Sequence, residues 1–170
     1  MLDFLLPTGC LVCRNWIPRR DDARIICLRC RTRLRALSWP RCPRCHYPRG
    51  TGRVEASDCL ECRHWPLELA VARCAFELVA PADDLVHAIK YEGWREVAGF
   101  MSEAMAKALE DPLPISAVVD KKRTVIVPIP TTAQRAAARG YNQAGLLAEG
   151  IAQLINLPVC APLIRVSLGV

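Results

Sequence analysis

The chain has 170 residues, 52% of them hydrophobic and 24% charged, with a formal net charge of +6. That composition can bury a core and excludes disordered and fibrous classes. Arg, Asp or Glu interrupts every apolar run before the ~18 residues of a membrane-spanning helix, and the opening from Met1 to Pro7 carries an acid where a secretory signal needs positive charge, so a soluble cytoplasmic protein is expected.

Charge and cysteine are concentrated at the amino terminus. Residues 1–65 hold 13 Arg and no Lys against 6 acids, a balance of +7, whereas residues 66–170 come to −1. Eight of the ten cysteines form four Cys-x-x-Cys pairs: Cys10/Cys13, Cys27/Cys30, Cys42/Cys45 and Cys59/Cys62. Such a pair sets two sulfurs on one side of a tight knuckle, and a second knuckle across a short hairpin completes a tetrahedron of thiolates. The spacing predicts two Zn²⁺ sites. Sequential pairing is the simplest, with Cys10, Cys13, Cys27 and Cys30 on one ion and Cys42, Cys45, Cys59 and Cys62 on the other; a cross-braced pairing also fits. Disulfides would need an oxidising compartment, and an iron–sulfur cluster is the remaining competitor for a four-cysteine set. With no ligand position left for water, both sites read as structural.

Each filled site leaves about −2 of charge, so the arginines either compensate the thiolates or form a nucleic-acid surface. Trp16, Trp39 and Trp65 are candidate stacking platforms for single-stranded nucleic acid, or packing around the small metal-bound cores. His46 and His64 follow completed cysteine pairs and are expected to be solvent-exposed or to support the ligands from outside. Cys74 and Cys160 are expected to be small buried hydrophobes.

After Trp65-Pro66 the texture changes, which places a domain boundary there: residues 1–66 and 67–170. Leu69 to Val79 reads as a strand or hairpin arm. Pro81-Ala-Asp-Asp starts a helix bearing Leu85, Val86 and Ile89 and stopping near Gly93; a second runs from about Trp94 to Leu109 with Val97, Phe100, Met101, Met105 and Leu109 on one core-facing stripe. Arg123 to Pro130 reads as a buried strand of a parallel sheet. Thr131 to Asn142 reads as a basic, flexible loop before a helix from about Gln143 to Ile155, an arrangement suited to phosphate because a helix N-terminus adds partial positive charge. Leu157 to Ile164 suggests a further strand.

In this order the residues resemble the ComF family, in which an amino-terminal zinc ribbon precedes a type I phosphoribosyltransferase-like domain. The resemblance rests on the Leu-Leu-Pro…Cys-x-x-Cys opening, the Cys-Pro-Arg-Cys knuckle at Cys42, Ala88-Ile-Lys-Tyr-Glu-Gly93, Val127-Pro-Ile-Pro130, and Arg139-Gly-Tyr-Asn-Gln-Ala144 followed by Leu147-Ala148. It implies an α/β protein: a double zinc ribbon followed by the amino-terminal portion of a phosphoribosyltransferase-like parallel-sheet domain. It further implies a ligand like 5-phosphoribosyl 1-pyrophosphate, association with DNA uptake in natural transformation, and partners in single-stranded DNA and the competence machinery. Lys90, Arg135, Arg139, Asn142 and Gln143 become the candidate ligand-binding residues.

One departure matters. The family's adjacent acidic pair followed by a Thr/Gly-rich loop, which wraps the 5′-phosphate and orients Mg²⁺, has no counterpart: Asp83-Asp84 reads as helix-start charge. Mg²⁺ is therefore expected only with a complete site, no catalytic residue is assigned, and the chain is expected to be truncated and catalytically incomplete.

Overall fold

The computed structural model describes residues 9–18, 25–49, 59–110 and 120–165. The Met1 to Pro7 opening, Arg19 and Arg20, and the last five residues lie outside them.

The cysteine-rich part is built from two units in register. In the first, Gly9 bridges Trp16 and Arg14 takes a left-handed φ of 61°; in the second, Arg41 bridges Pro48 and His46 takes the same φ of 61°. In each knuckle the amide after the second cysteine donates back to the first cysteine's carbonyl, Arg14 to Cys10 at 2.8 Å and His46 to Cys42 at 2.9 Å. These bonds close a turn that presents both sulfurs on one side. In the first unit the partner knuckle runs into a short helix, α1 (Leu28–Arg31).

Helix α2 (Ala82–His87) opens with Asp83 and Asp84, whose charge suits the helix N-terminus, and continues as a π-helical turn over Ala88–Glu92. Gly93 ends it at φ 78°, a conformation that glycine adopts without strain. Helices α3 (Val97–Leu109) and α5 (Gln143–Ile155) pack closely: Gly150 faces Ser102, whose Cβ would lie 2.7 Å from any Cβ added there, and the Ser102 hydroxyl donates to the Leu147 carbonyl at 3.2 Å. On the α3 stripe Val97 is fully buried and Phe100 and Met101 pack partly against the core. Leu85, Ala88, Ile89, Val97 and Ala98 share one core with Cys10, Leu11, Ile17, Ile26 and Cys30, so the first knuckle pair packs directly on the helices. The second has its own small cluster of Cys42, Cys59 and Cys62, with Cys45 and Trp65 against it.

The structure corrects several expectations. The basic stretch after Thr131 is helical: α4 (Ala133–Arg139) is capped by the Thr132 hydroxyl, which accepts from the Arg135 amide at 3.3 Å, and ends on Gly140 at φ 75°. Its alanines are strong helix formers. The described residues contain no strand of a parallel sheet, so the sheet expected over Arg123 to Pro130 is not present among them. Instead a 3₁₀ turn (Lys121–Arg123) leads into extended chain, where Ile126 and Val159 form one parallel bridge through Ile126 N–H to Pro158 O at 2.8 Å and Cys160 N–H to Ile126 O at 2.9 Å. Pro128 and Pro130 on one side, and Pro158 and Pro162 on the other, lack the N–H donors that would extend the ladder. Leu69 to Val79 is likewise not a strand; its amides bond to the ribbons, Ala72 to Arg44 O at 2.7 Å and Glu77 to Arg35 O at 2.9 Å. Cys74 and Cys160 are exposed rather than buried.

Candidate metal centres and cationic cleft

Within each unit the four sulfurs lie within 4.8 Å of one another, and the sets are sequential: Cys10, Cys13, Cys27, Cys30 and Cys42, Cys45, Cys59, Cys62. A tetrahedron with ~2.3 Å zinc–sulfur bonds has an edge of about 3.8 Å. The observed sulfur separations match it: Cys13 to Cys27 is 3.7 Å, Cys42 to Cys62 is 3.7 Å and Cys45 to Cys59 is 3.6 Å. Four soft thiolate donors at that spacing fit a structural Zn²⁺ in each unit. Among the described residues these two sets are the His, Cys, Asp or Glu groups placed to hold a metal, and no acidic cluster suited to Mg²⁺ accompanies them.

The local electrostatics divide each set, favouring thiolate at Cys10, Cys42 and Cys59 and the protonated thiol at Cys27, Cys30, Cys45 and Cys62. Burial pushes the Cys10 thiol up, yet the backbone amides of Cys13, Cys27 and Val12 outweigh it and bring it down to about 6. Cys42 follows the same logic, its burial outweighed by the Cys45 and Arg44 amides and the Arg49 guanidinium, and also falls to about 6. Burial and the neighbouring Cys59, Cys42 and Cys62 push Cys45 up to about 12. Arg49 is thus one arginine that compensates thiolate charge. Arg44 has a different duty: its guanidinium donates to the carbonyls of Cys62, Trp65, Pro66 and Leu69 at 3.1, 3.3, 2.9 and 3.1 Å, closing the second unit.

His46 is 1% exposed and stands outside the ligand set, accepting at Nδ1 from the Cys74 amide at 3.3 Å; His64 is exposed. Trp65 packs against the second cysteine cluster, whereas Trp16 and Trp39 are 60% and 59% exposed, with the Arg41 guanidinium 4.2 Å from the Trp39 ring centre.

A second constellation lies at the junction of the π-helical turn, α4 and α5. Lys90, Arg135, Arg139 and Gln143 line one cleft of about 310 Å³, joined by Tyr91, Thr131 and Arg165. Among the described residues, no carboxylate lines it. Lys90 and Tyr91 reach it from the π-helical turn, a distortion frequent at functional sites. The Arg139 guanidinium stacks 5.2 Å from the Tyr91 ring centre and donates to Gln143 Oε1 at 2.9 Å. Asn142 does not line the cleft: its Oδ1 caps α5 by accepting from the Ala144 amide at 3.1 Å, and its Nδ2 donates to Ile129 O at 3.2 Å. The intervening residues brace the joint, with Gly140 O accepting from Arg95 at 2.8 Å and the Tyr141 hydroxyl donating to Ile89 O at 2.7 Å. Sequence reasoning missed Arg165 and Tyr91. Tyr91 adjoins Lys90 in a motif already singled out; Arg165 ends an apolar run and carries no local signal.

Two knuckle pairs in register, each closing a four-thiolate set, define a double zinc ribbon protein, and a family model described as "Double zinc ribbon domain" matches residues 1–67. Over 84% of its length the chain is 28% identical to "Competence protein ComFC" of Bacillus subtilis (strain 168), of which it spans 56%. Together these two matches support a ComF-family protein. No solved structure matches the chain. Among the described residues, no helix is long and apolar enough to cross a membrane.

Proposed function

We propose that this chain serves DNA uptake in natural transformation as a ComF-like protein, and that its cleft binds a phosphorylated ribose ligand resembling 5-phosphoribosyl 1-pyrophosphate. The observation that carries this reading is the convergence of Lys90, Arg135, Arg139 and Arg165 on one cleft that no carboxylate lines among the described residues. Guanidinium groups suit phosphate because their planar donors pair with two oxygens at once, and Arg139 is already held in place by Tyr91 and Gln143. The double zinc ribbon supplies a rigid support: its first unit shares a core with Ile89, next to Lys90. The full phosphoribosyltransferase-like sheet, and any Mg²⁺ it would orient, belong to this reading through family resemblance. The chain is proposed to bind without catalysing transfer, since no acidic pair with a Thr/Gly loop is present in its sequence.

A ligand that binds only the folded state raises its stability by RT ln(1 + [L]/Kd), about 2.7 kcal/mol at a hundredfold excess over Kd. Saturating 5-phosphoribosyl 1-pyrophosphate is therefore expected to raise the melting temperature of the zinc-loaded chain by several degrees. An unchanged melt at millimolar ligand would sink the proposal.

A second reading has its own observation: Trp16 and Trp39 project from the arginine-rich ribbons, as stacking platforms for single-stranded nucleic acid would. Binding to a single-stranded oligonucleotide would then weaken linearly in log[salt] and fall on Trp39→Ala; salt-independent or absent binding argues against it.

A further inference from the structure

Lys90 and Tyr91 stand on a stretch made of the six residues of α2 and the five of the π-helical turn. A helical segment shorter than ~12–15 residues is marginal by itself, so this one keeps its shape through what it buries. Leu85, Ala88 and Ile89 pack into one core with Cys10 and Cys30, two members of the first metal set. Arg14, the residue after Cys13, adds an ion pair at 3.9 Å to Glu92, whose other carboxylate oxygen lies 3.1 Å from His87 Nδ1. That exposed pair contributes little energy, but it holds the acid nearest Lys90 in the chain against the ribbon, and Glu92 does not line the cleft. The side chains continue into the cleft: the His87 and Tyr91 rings have centres 4.9 Å apart, and Tyr91 carries the Arg139 guanidinium at 5.2 Å. The second metal set offers no such route among the described residues. Cys42, Cys59 and Cys62 cluster with Cys45 and Trp65 and share no member with the core under Lys90.

From this asymmetry we infer that the first four-cysteine set, and not the second, is coupled to the cationic cleft: closing Cys10, Cys13, Cys27 and Cys30 on zinc orders Lys90, Tyr91 and Arg139 for phosphate. The inference rests on the phosphoribosyl reading of that cleft. Without a shared ion the two knuckles of the first unit are no longer held together, and the apolar support under Leu85 and Ile89 loosens. The π-helical turn loosens with it, and Lys90 loses its place in the cleft beside Arg135 and Arg139, which stand on α4. Coupling between two sites is reciprocal, so ligand in the cleft must also tighten zinc in the first site.

The test is chelator competition for zinc on the fully loaded chain, with and without saturating 5-phosphoribosyl 1-pyrophosphate. With ligand, one of the two ions is expected to be held at least about fivefold more tightly, the lower end of typical coupling between sites, and the other to be unchanged. Arg135→Ala, which impairs the cleft, is expected to lose the gain, which separates coupling from zinc binding by the pyrophosphate itself. Cys45→Ser, left with the first site, should keep the gain, and Cys13→Ser, left with the second, should lose it. Because Cys13→Ser also loosens the helices, the competition on the unaltered chain decides. An equal gain at both sites, a gain at neither while the ligand binds, or a gain that survives Arg135→Ala overturns the coupling and leaves the reading of the cleft standing. Absence of ligand binding by the zinc-loaded chain overturns that reading and the coupling with it.

Discussion

The Tyr141 hydroxyl donates to the Ile89 carbonyl at 2.7 Å, fastening the start of α5 to the π-helical turn that carries Lys90 and Tyr91. Tyr141→Phe deletes this bond and keeps the ring on which Arg95 stacks at 4.7 Å. A lost hydrogen bond that leaves a carbonyl unpaired costs about 1 kcal/mol or somewhat more, which for a chain of this size lowers Tm by ~2–4 °C. A thermal melt checks this, and an unchanged Tm would remove the bond from the account.

Zinc loading should reveal two unequal sites. Cys13→Ser and Cys45→Ser are each expected to lower bound zinc from two ions to one per chain. The first should also loosen the helices, because Cys10 and Cys30 share their core with Leu85, Ile89 and Val97, whereas the second set packs within its own cluster. Zinc analysis beside helical circular dichroism of each variant separates the two. Equal loss of helix signal in both would contradict the asymmetry.

Acid should release the metal. Cys10 and Cys42 ionise near 6 in the fold, below the usual thiol range, so their thiolates are present at neutral pH and their contribution is lost as pH falls through 6. Cys45, pushed up to about 12, holds its proton until metal displaces it, so loading near neutrality releases protons. Zinc affinity measured by equilibrium dialysis should fall by about tenfold per pH unit for each proton released as pH drops from about 7.5, and more steeply below about pH 6, where Cys10 and Cys42 take up protons as well. Retention of both ions at pH 5 would count against thiolate ligation.

Gly150→Val tests the packing of α3 on α5. An added Cβ meets Ser102 at 2.7 Å from its Cβ, too close for any carbon, so the helices must separate at a cost of about 1–3 kcal/mol. Chemical denaturation should show a lower midpoint; a midpoint equal to that of the unaltered chain would mean the helices pack differently.

Legibility in the sequence followed how local each signal is. The cysteine sets were readable because ligand type and spacing are themselves the constraint, and α5 was readable to its ends because Asn142 caps it and its apolar residues repeat at helical spacing. Helix α4 was missed because a seven-residue alanine-rich segment shows no apolar stripe, although Thr132 before it and Gly140 after it are ordinary cap residues. The β-branched run at Val125 to Ile129 signalled a strand, but pairing depends on a distant partner and on donors that Pro128 and Pro130 lack. The exposure of Cys74 and Cys160, and the place of Arg165 in the cleft, depend on tertiary contacts that no local pattern encodes.

The central claim, a phosphate-binding cleft built by Lys90, Arg135, Arg139 and Arg165, is tested most directly by calorimetric titration of 5-phosphoribosyl 1-pyrophosphate into the zinc-loaded chain and its Lys90→Ala and Arg135→Ala variants. Each charge-assisted contact is worth about 1.5–3 kcal/mol, so each variant is expected to bind roughly tenfold to a hundredfold more weakly with its zinc and helix content intact. Binding of equal strength in all three proteins would contradict it.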